Sequence, residues 1–452
     1  ILLTERLVLR KPVNINKNQL HTIKYLILVG VFSIIITKVY LLFNYDLFLG
    51  TYSFLTSFLV LSAFIFSYTK YKDPSTTKTQ SLKIFNAKGR MPLVSIVIPS
   101  KNDPVMIRKA VLSCLASSYS QIEVILVNDG STDHTGEVMD LLRKENPRQV
   151  KVVQLSCNVG KRKATREGIV NGSATGEIII LVDSDCELDN KAIEKLVSVF
   201  DNPEVGAVSG LGRSYNPNET WLTKMQDTWY DGQFSIMKGM ESAFGTVTCC
   251  PGILSAYRKE AIMPCLEAWA NDKFLGSEFT FGDDRHLTSY VLGGNKHYLG
   301  NHYKVWKTVY CESAIVYTVM PPKFKKFIRQ QIRWKKSWFR VFFFSVPFYY
   351  KDRNSFAAAF YYLQMIWSFL SPVVAIRSLI YLPLQGHFFD ALVYVSGLTF
   401  VGLLFAADFR MRNPDSGNMW AYRLLWSWMG FFLSSLEYYS LLTIRDKSWL
   451  TR

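Results

Sequence analysis

Long apolar runs lie at both ends of the chain, and short ones alternate with polar stretches between them. Residues 25–43 form an apolar run that only Lys38 interrupts, and a second run follows at 47–68. Later runs lie at about 357–376, 391–407 and 424–444. A helix needs about 20 apolar residues to cross the ~30 Å hydrocarbon core of a bilayer. The first four runs therefore predict four transmembrane helices.

The central region, residues 92–320, has a different pattern. Short runs rich in β-branched residues, separated by polar stretches of helical length, occur at 95–100, 123–129, 150–155 and 177–183. Short apolar strands that alternate with helices are typical of parallel sheets with crossover connections. We therefore predict an α/β fold, a mostly parallel sheet with crossover helices, inserted between transmembrane and interfacial helices.

The segment that follows is basic and aromatic. Residues 323–340 carry eight Lys or Arg and no acid, interleaved with large apolar side chains. This composition favours an amphipathic helix on the cytoplasmic membrane surface. The last apolar run contains Glu437, and an acid is costly at a lipid-facing position. We expect a re-entrant or interfacial segment there rather than a fifth span.

Charge sets the orientation of these segments. The chain has 52 Lys and Arg against 36 Asp and Glu, a net charge of +16, and the basic clusters flank the apolar runs. Positive flanks mark the cytoplasmic side of a membrane protein. We therefore expect a lipid bilayer as the partner of this charge, and no nucleic acid. Residues 1–24 are predicted to be a cytosolic tail and not a cleaved signal peptide.

These patterns divide the chain into seven parts. They are a cytosolic basic tail (1–24), two transmembrane helices (25–69), a basic linker (70–91), a cytosolic α/β domain (92–320), basic amphipathic interface helices (321–353), two transmembrane helices (354–409), and an interfacial or re-entrant segment with a cytosolic tail (410–452).

Two acids come at the end of the run at 177–183. Asp183 and Asp185 are spaced i, i+2, and side chains with this spacing project to one face of a strand. Paired carboxylates beyond the carboxyl end of a parallel strand suit Mg²⁺ or Mn²⁺ carrying a diphosphate. The seven cysteines have no CxxC spacing, so we do not expect a zinc site. An ordinary strand-end turn is the alternative for the acid pair.

Two further loops are predicted to reach the same edge of the sheet. Asp129 follows the second strand, where its carboxylate can accept hydrogen bonds from a uracil or a ribose, or simply cap a helix. Lys161 and Arg162 open a later helix, where cations oppose the helix dipole. A pyrophosphate would compensate for these charges, and solvated surface charge is the alternative.

Candidate catalytic groups lie further along the chain. Asp283 and Asp284 stand in a loop that opens a helix, and one of them can deprotonate an acceptor hydroxyl that attacks a sugar carbon. Stabilisation of the helix N-terminus is the alternative. Gln330, Arg333 and Trp334 share one helical face, where an indole can stack on a sugar while Arg and Gln bind phosphate or hydroxyls. A membrane-interface belt of Trp and Arg is the alternative.

In this order the motifs resemble those of processive family-2 glycosyltransferases with a GT-A fold, over residues 92–340. That family includes hyaluronan synthases, nodulation chitooligosaccharide synthases and, more distantly, cellulose and chitin synthases. Its pattern is a strand-end acid, DxD, a GDD or TED acid, and Q-x-x-R-W. Here the pattern is matched by Asp129, by Asp183 and Asp185, by 282–284, and by 330–334. The runs 160–162, 282–288 and 335–340 are closest to hyaluronan synthases, and the end of the chain, Trp-Leu-Thr-Arg, resembles their W-G-T-R tail.

The resemblance implies a role for each residue. Asp129 would bind the uridine, Lys161 and Arg162 the diphosphate, Asp183 the nucleotide, and Asp183 and Asp185 the Mg²⁺ or Mn²⁺. Asp284 would be the general base, with Asp283 as the alternative. The acceptor and UDP would be held by Gln330, Arg333, Trp334, Cys250 and the tail residues Trp449, Thr451 and Arg452. The segment 249–258 departs from the family's usual Gly-Pro-Leu pattern, which leaves the sugar open.

The activity implied is that of an inverting enzyme that polymerises UDP-sugars and passes the polymer across the plasma membrane. UDP-GlcNAc and UDP-GlcA, giving hyaluronan, are the first expectation, followed by a chitin-type or poly-N-acetylglucosamine synthase. A non-processive lipid-phosphate glycosyltransferase is a third possibility, and a transporter or channel with a nucleotide-sensing domain is the non-enzyme alternative. The expected partners are UDP-sugars, the growing polysaccharide and the bilayer, and the sequence does not predict an oligomeric state.

Overall fold

The computed structural model describes residues 46–76 and 91–446, together with Ile36 and Tyr40. Within them the strands are β1 (Val94–Ser100), β2 (Ile122–Asp129), β3 (Val150–Leu155), β4 (Ile178–Leu181), β5 (Cys186–Leu188), β6 (Val205–Ser214), β7 (Ser255–Arg258), β8 (Lys273–Phe274), β9 (Ser277–Glu278) and β10 (Lys307–Thr318).

The described residues also contain α-helices before, between and after these strands. They are α1 (Leu47–Thr69), α2 (Pro104–Leu115), α3 (Thr135–Glu145), α4 (Lys161–Val170), α5 (Ala192–Val199), α6 (Trp221–Gly232), α7 (Gly239–Ala243), α8 (Lys259–Ile262), α9 (Leu266–Ala270), α10 (Asp283–Ser289), α11 (Phe324–Ser345), α12 (Ser355–Ile376), α13 (Leu382–Leu384), α14 (Phe388–Arg412) and α15 (Trp420–Leu442). Short π-helical turns continue α6, α10 and α12.

Eight strands form one sheet, in the order β3-β2-β1-β4-β7-β6-β10-β5. Parallel pairs join β3, β2, β1 and β4, and another joins β6 to β10. β7 runs antiparallel between β4 and β6, and β5 runs antiparallel to β10. The predicted mostly parallel α/β sheet is confirmed. The antiparallel pairs that β7 forms could not be predicted from the sequence because β7 is only four residues long and carries Ser and Arg.

Helices cover both faces of this sheet. Along β1, Ile96 and Ile98 pack with α2 on one face, whereas Val97 packs with α4 on the other. Strands buried on both faces need nearly continuous apolar runs, which is why the short runs were recognisable. In such a sheet the carboxyl ends of neighbouring parallel strands meet at one edge, where ligands bind.

Three helices of the described residues are long and apolar enough to cross a membrane. They are Leu47–Thr69, Ser355–Leu384 and Phe388–Arg412, and they coincide with three of the four predicted spans. The other predicted span, at 25–43, lies outside the described residues except for Ile36 and Tyr40. The basic segment forms α11, as the amphipathic pattern predicted.

The last apolar run forms one continuous helix of 23 residues, α15, which is not among the candidate spans. Its Glu437 is buried between two other helices, where it accepts hydrogen bonds from Lys335 of α11 (2.8 Å) and Ser368 of α12 (2.6 Å). Protein partners therefore compensate this acid. The position of α15 relative to a bilayer stays a prediction.

Helix α4 packs closely against the sheet at Gly168. A methyl group there would lie 2.6 Å from Val97 Cγ1 and 2.7 Å from Val127 Cγ2. Alanine stabilises a helix interior by up to ~1 kcal/mol relative to glycine, but overpacking of this kind costs about 1–3 kcal/mol. We expect Gly168→Ala to lower the melting temperature of the purified protein. Gly397→Ala, in α14, is the control because nothing lies within 4 Å of the added methyl; equal melting temperatures for the two variants would contradict this packing.

Candidate active site

The two acids at 183 and 185 lie in the turn between β4 and β5. β4 ends at Leu181, so the prediction that strand pleating brings Asp183 and Asp185 together was wrong, and the turn does so instead. Asp185 accepts a hydrogen bond from Cys186 Sγ at 3.6 Å. Burial, and then the charges of Asp183 and Asp103, raise the pKa of Asp185 to about 6. The three carboxylates therefore lie close enough to destabilise one another when ionised.

This donor set fits a divalent cation. Hard oxygen ligands are those that Mg²⁺ and Mn²⁺ prefer, and a cation would relieve the repulsion that raises the pKa of Asp185. No group of three or more His, Cys, Asp or Glu side chains converges as a metal cage in the part of the chain that the structure describes. Asp183 and Asp185 therefore suit an ion whose coordination is completed by water and by substrate phosphates, as is usual for Mg²⁺.

Lys161 connects the two acidic motifs. It is the first residue of α4, and its Nζ lies 2.5 Å from Asp183 Oδ1 and 3.3 Å from Asp283 Oδ2. Burial lowers the pKa of Lys161, but the charges of Asp183 and Asp283 outweigh burial and raise it. The ammonium therefore stays protonated between the two acids. The sequence prediction placed Lys161 on a diphosphate, and the structure places it beside the acids that would flank one.

Arg162 has different surroundings from those predicted. Its side chain is 5% exposed, and it donates hydrogen bonds to the carbonyl oxygens of Trp269 (3.1 Å) and Phe281 (3.0 Å). It also forms an ion pair with Asp272 at 3.2 Å. The structure does not support the prediction that Arg162 binds the diphosphate, because these protein groups hold the guanidinium. Adjacent helix positions point in different directions, so Lys161 and Arg162 face different partners.

Asp129 shapes the loop that leads into α4. Its Oδ1 accepts a hydrogen bond from the Val159 N–H (2.7 Å) and its Oδ2 one from the Gly160 N–H (3.1 Å). Gly160 has a φ of +87°, a conformation that favours glycine. The carboxylate therefore fixes the backbone of the loop that leads to Lys161. A carboxylate has about four acceptor positions, so contact with a uridine stays a prediction.

Asp283 and Asp284 begin α10 and differ in environment. Burial raises the pKa of Asp284, and the neighbouring charge of Asp283 adds to the effect. Burial would also raise the pKa of Asp283, but the charges of Lys161 and Arg162 outweigh it and hold that pKa below its usual value. Asp284 is therefore the better candidate for a base, whereas Asp283 forms an ion pair with Lys161.

The carboxylate of Asp284 is held from two sides. Its Oδ1 accepts a hydrogen bond from the Arg285 N–H at 2.7 Å, and its Oδ2 accepts from the Gly252 N–H (3.3 Å) and from Cys249 Sγ (3.7 Å). Gly252 also lies near Lys161 and Asp183, because a methyl group there would be 2.7 Å from Lys161 Nζ and 3.1 Å from Asp183 Oδ1. Sequence reasoning missed the roles of Cys249 and Gly252.

The cysteine whose thiol reaches Asp284 is not the one predicted from the sequence, and acceptor binding by Cys250 stays a prediction. Cys250 is fully buried, and its N–H donates to Thr288 Oγ1 at 3.0 Å. Cys249 is the one whose thiol reaches Asp284. The two adjacent thiols therefore have different surroundings, and nothing in the sequence marks which of them lies beside Asp284.

The Q-x-x-R-W residues lie on α11. Burial lowers the pKa of Arg333, an effect that the charges of Asp183 and Asp283 oppose. Gln330 Oε1 is buried and has no hydrogen-bond partner within the described part of the chain. Trp334 is half-buried and stacks on Trp229 at 6.0 Å between ring centroids, with 25° between the planes. The predicted tail residues Trp449, Thr451 and Arg452 lie outside the described residues.

A single buried carboxylate ties the helices of the site together. Asp272 receives the guanidinium of Arg340 from α11 (2.5 and 3.2 Å) and that of Arg162 from α4 (3.2 Å). His286 of α10 lies 3.4 Å from the same carboxylate. Burial, and then the two arginines, hold the pKa of His286 well below its usual value, so the imidazole is neutral. One carboxylate therefore neutralises the arginines of two helices, α4 and α11, and also contacts the imidazole of α10.

Loss of this acid should destabilise the whole domain. Asp272→Ala leaves two guanidinium groups buried without a counter-ion, and removal of one partner from a buried pair costs about 3–5 kcal/mol. We expect a clear fall in melting temperature. The control is Glu145→Ala, because the Arg108–Glu145 pair is about 40% exposed (43% and 39%) and exposed pairs contribute only ~0–1 kcal/mol. Similar melting temperatures for the two variants would rule out the proposed importance of Asp272.

Comparison with known proteins defines the class. The chain belongs to glycosyl transferase family 2, whose description matches residues 95–265. Among its relatives it is 31% identical to a hyaluronan synthase of Streptococcus pyogenes over 375 residues, 81% of this chain and 85% of that protein. The predicted resemblance to processive family-2 enzymes is confirmed.

Further relatives are the N-acetylglucosaminyltransferases of two other bacteria. The protein of Rhizobium meliloti is 34% identical over 259 residues, 57% of this chain and 58% of that protein. The protein of Azorhizobium caulinodans is 30% identical over 376 residues, 80% of this chain and 87% of that protein.

Among solved structures, the chain is similar to a mannosyltransferase of Pyrobaculum calidifontis in complex with GDP-mannose and Mn²⁺. The TM-score is 0.52 at 15% sequence identity, over 89% of this chain and all of that one. At this identity the likeness concerns the fold, and it confirms the predicted GT-A architecture.

Proposed function

We propose that the protein is a membrane-embedded, inverting glycosyltransferase that polymerises UDP-sugars. The observation that carries the proposal is the position of Lys161, whose ammonium joins Asp183 of the DxD turn to Asp283 beside the candidate base. One ammonium group therefore contacts both an acid proposed to bind the donor and the acid next to the proposed base. The similarity to named hyaluronan synthases and N-acetylglucosaminyltransferases supports a polysaccharide product.

The transfer step follows from the two acids of α10. Asp284 Oδ2 takes the proton of the acceptor hydroxyl, whose oxygen attacks the anomeric carbon of the donor sugar as the bond to UDP breaks. The raised pKa of Asp284 suits a general base. Lys161 stabilises the negative charge that develops on the departing UDP. A single displacement of this kind inverts the anomeric configuration.

A divalent cation belongs to the donor side of this proposal. Asp183 and Asp185 would hold Mg²⁺ or Mn²⁺, which supplies charge stabilisation at the diphosphate. The neighbouring mannosyltransferase structure contains Mn²⁺, which supports a divalent cation without choosing between the two metals. Arg162 has no part in this site, because Asp272 and two carbonyl oxygens hold it.

The acceptor would lie along α11, with Trp334 as a stacking surface and Gln330 and Arg333 as polar contacts. The orphaned Gln330 Oε1 is an acceptor suited to a sugar hydroxyl. We place the domain in the cytosol, next to the plasma membrane, so that each added sugar advances the polymer between the apolar helices. The first product we propose is hyaluronan, followed by poly-N-acetylglucosamine.

The two acids of α10 should respond differently to neutralisation. Asp284→Asn removes the base, and we expect kcat to fall by roughly 10²–10⁴ while UDP binding is retained. Asp283→Asn removes a counter-ion of Lys161, so the main change should be a higher KM for the donor. Rates of UDP release and calorimetric UDP affinity measure both effects. If Asp283→Asn loses turnover and Asp284→Asn keeps it, the two assignments are exchanged.

The product can be established with purified protein in lipid nanodiscs. UDP-GlcNAc and UDP-GlcA are supplied singly and together with Mg²⁺ or Mn²⁺, and UDP release and polymer are measured. Hyaluronan requires both sugars and a polymer that hyaluronidase degrades. Polymer from UDP-GlcNAc alone would replace hyaluronan with poly-N-acetylglucosamine. Absence of any sugar turnover, with nucleotide-dependent conductance instead, would favour a transporter.

A further inference from the structure

Helix α15 has no role in the chemistry proposed so far, yet it contacts the acceptor side of the site. Trp426, on α15, is 8% exposed and stacks on Trp229 at 4.4 Å between centroids, with 17° between the planes. Trp229, on α6, stacks in turn on Trp334 at 6.0 Å and 25°. Three indoles from three helices therefore form one continuous stack, which we call the tryptophan ladder (Trp426, Trp229 and Trp334).

The geometry of the ladder is that of favourable aromatic pairs. Ring centroids 4.5–7 Å apart in offset or tilted arrangements are typical of such pairs, and both contacts lie within or next to this range. Trp426 also meets Phe327 of α11 edge to face, at 5.9 Å and 79°. Phe327 lies two helical turns before Trp334. Trp426 therefore braces α11 directly and, through Trp229, the indole of Trp334.

Polar contacts fix α15 along the same helix. Glu437 of α15 pairs with Lys335, the residue after Trp334, at 2.8 Å. Ser440 Oγ donates to the Ile332 carbonyl oxygen at 3.4 Å. The backbone on both sides of the Arg333–Trp334 pair is thus tied to α15. Through these contacts α15 restrains the candidate acceptor residues of α11. A rotation or translation of α15 would therefore displace them.

We propose that Trp426 and Trp229 are positioning residues that hold Trp334 as the stacking surface for the acceptor sugar. This inference rests on the proposed function, because it needs a polysaccharide acceptor at Trp334. A processive enzyme must keep the chain end through many cycles, and product length reports the ratio of extension to release. An indole that is held in place loses less freedom when a sugar stacks on it. The ladder should therefore govern retention of the acceptor and not binding of the donor.

The chain offers a matched control on the same helix. Trp428 is two residues from Trp426 but 46% exposed, and its Nε1 donates to Thr399 Oγ1 of α14 at 3.1 Å. It takes no part in the ladder contacts. Trp426→Leu, Trp229→Leu and Trp428→Leu make the same change of side chain at two ladder positions and one control position. Trp426→Phe keeps an aromatic face at the first position.

The experiment uses the full chain in lipid nanodiscs, with the amount of active protein normalised to UDP-binding sites. Product length, KM for a short oligosaccharide acceptor and KM for the UDP-sugar are measured. An aromatic contact contributes the equivalent of a ~2–10-fold change in affinity. We expect Trp426→Leu and Trp229→Leu to shorten the product and raise the acceptor KM by about that factor. The donor KM should stay within about twofold, Trp426→Phe should recover most of the length, and Trp428→Leu should match the wild type.

The outcomes separate this inference from the proposed function. Wild-type protein that makes no polymer overturns the proposed function and, with it, the inference. Wild-type polymer together with unchanged length and acceptor KM in Trp229→Leu overturns the inference alone, whatever happens to Trp426 variants. A loss that is confined to melting temperature, or one that Trp428→Leu shares, also overturns it, because a purely structural helix would give that result.

Discussion

The half-buried ammonium of Lys161 makes the ion pairs on which the arrangement of the site depends. Loops bring together four carboxylates, at 183, 185, 283 and 284. Their negative charges would repel one another without a nearby cation. Lys161 touches two of them directly, at 2.5 and 3.3 Å. Since a charge removed from water needs compensation, the lysine and the acids each make the burial of the other tolerable. The acids of the DxD turn and the two acids of α10 are therefore one electrostatic unit.

Around this unit, the protein uses backbone and buried ion pairs to set positions. Asp129 fastens the loop before α4, and Asp272 gathers cations from α4 and α11. The N–H of Gly252 approaches Asp284 because no side chain intervenes. None of these groups needs to touch a substrate. They fix the positions of the few residues that would contact a substrate. The scaffold for this is a sheet that is rigid because both of its faces are packed.

Much of this could be read from the sequence, for identifiable reasons. The strands could be recognised because burial on both faces requires apolar runs, and Asp129, Asp183 and Asp185 could be recognised because they lie at or just after the ends of those strands. Partner choice was not visible. Arg162 and Lys161 are adjacent cations, yet helix geometry sends one to Asp272 and the other to Asp183. Likewise, Cys249 and Cys250 look equivalent in the sequence, yet only the Cys249 thiol reaches Asp284, whereas the Cys250 N–H donates to Thr288. Long-range contacts such as that between Trp426 and Trp229 leave no local pattern at all.

The glycine that precedes the two acids of α10 shows that neighbouring residues of a short motif can be required for different physical reasons. Gly282 has a φ of +64°, and a methyl group on it would lie 1.8 Å from Ser337 Oγ of α11. The position therefore excludes a side chain both by backbone conformation and by lack of space. In Gly-Asp-Asp the two acids are the candidate catalytic groups, whereas the glycine lies where α10 approaches α11. One of the three residues of this motif is therefore explained by the contact between the helix of the candidate base and the helix of the candidate acceptor residues.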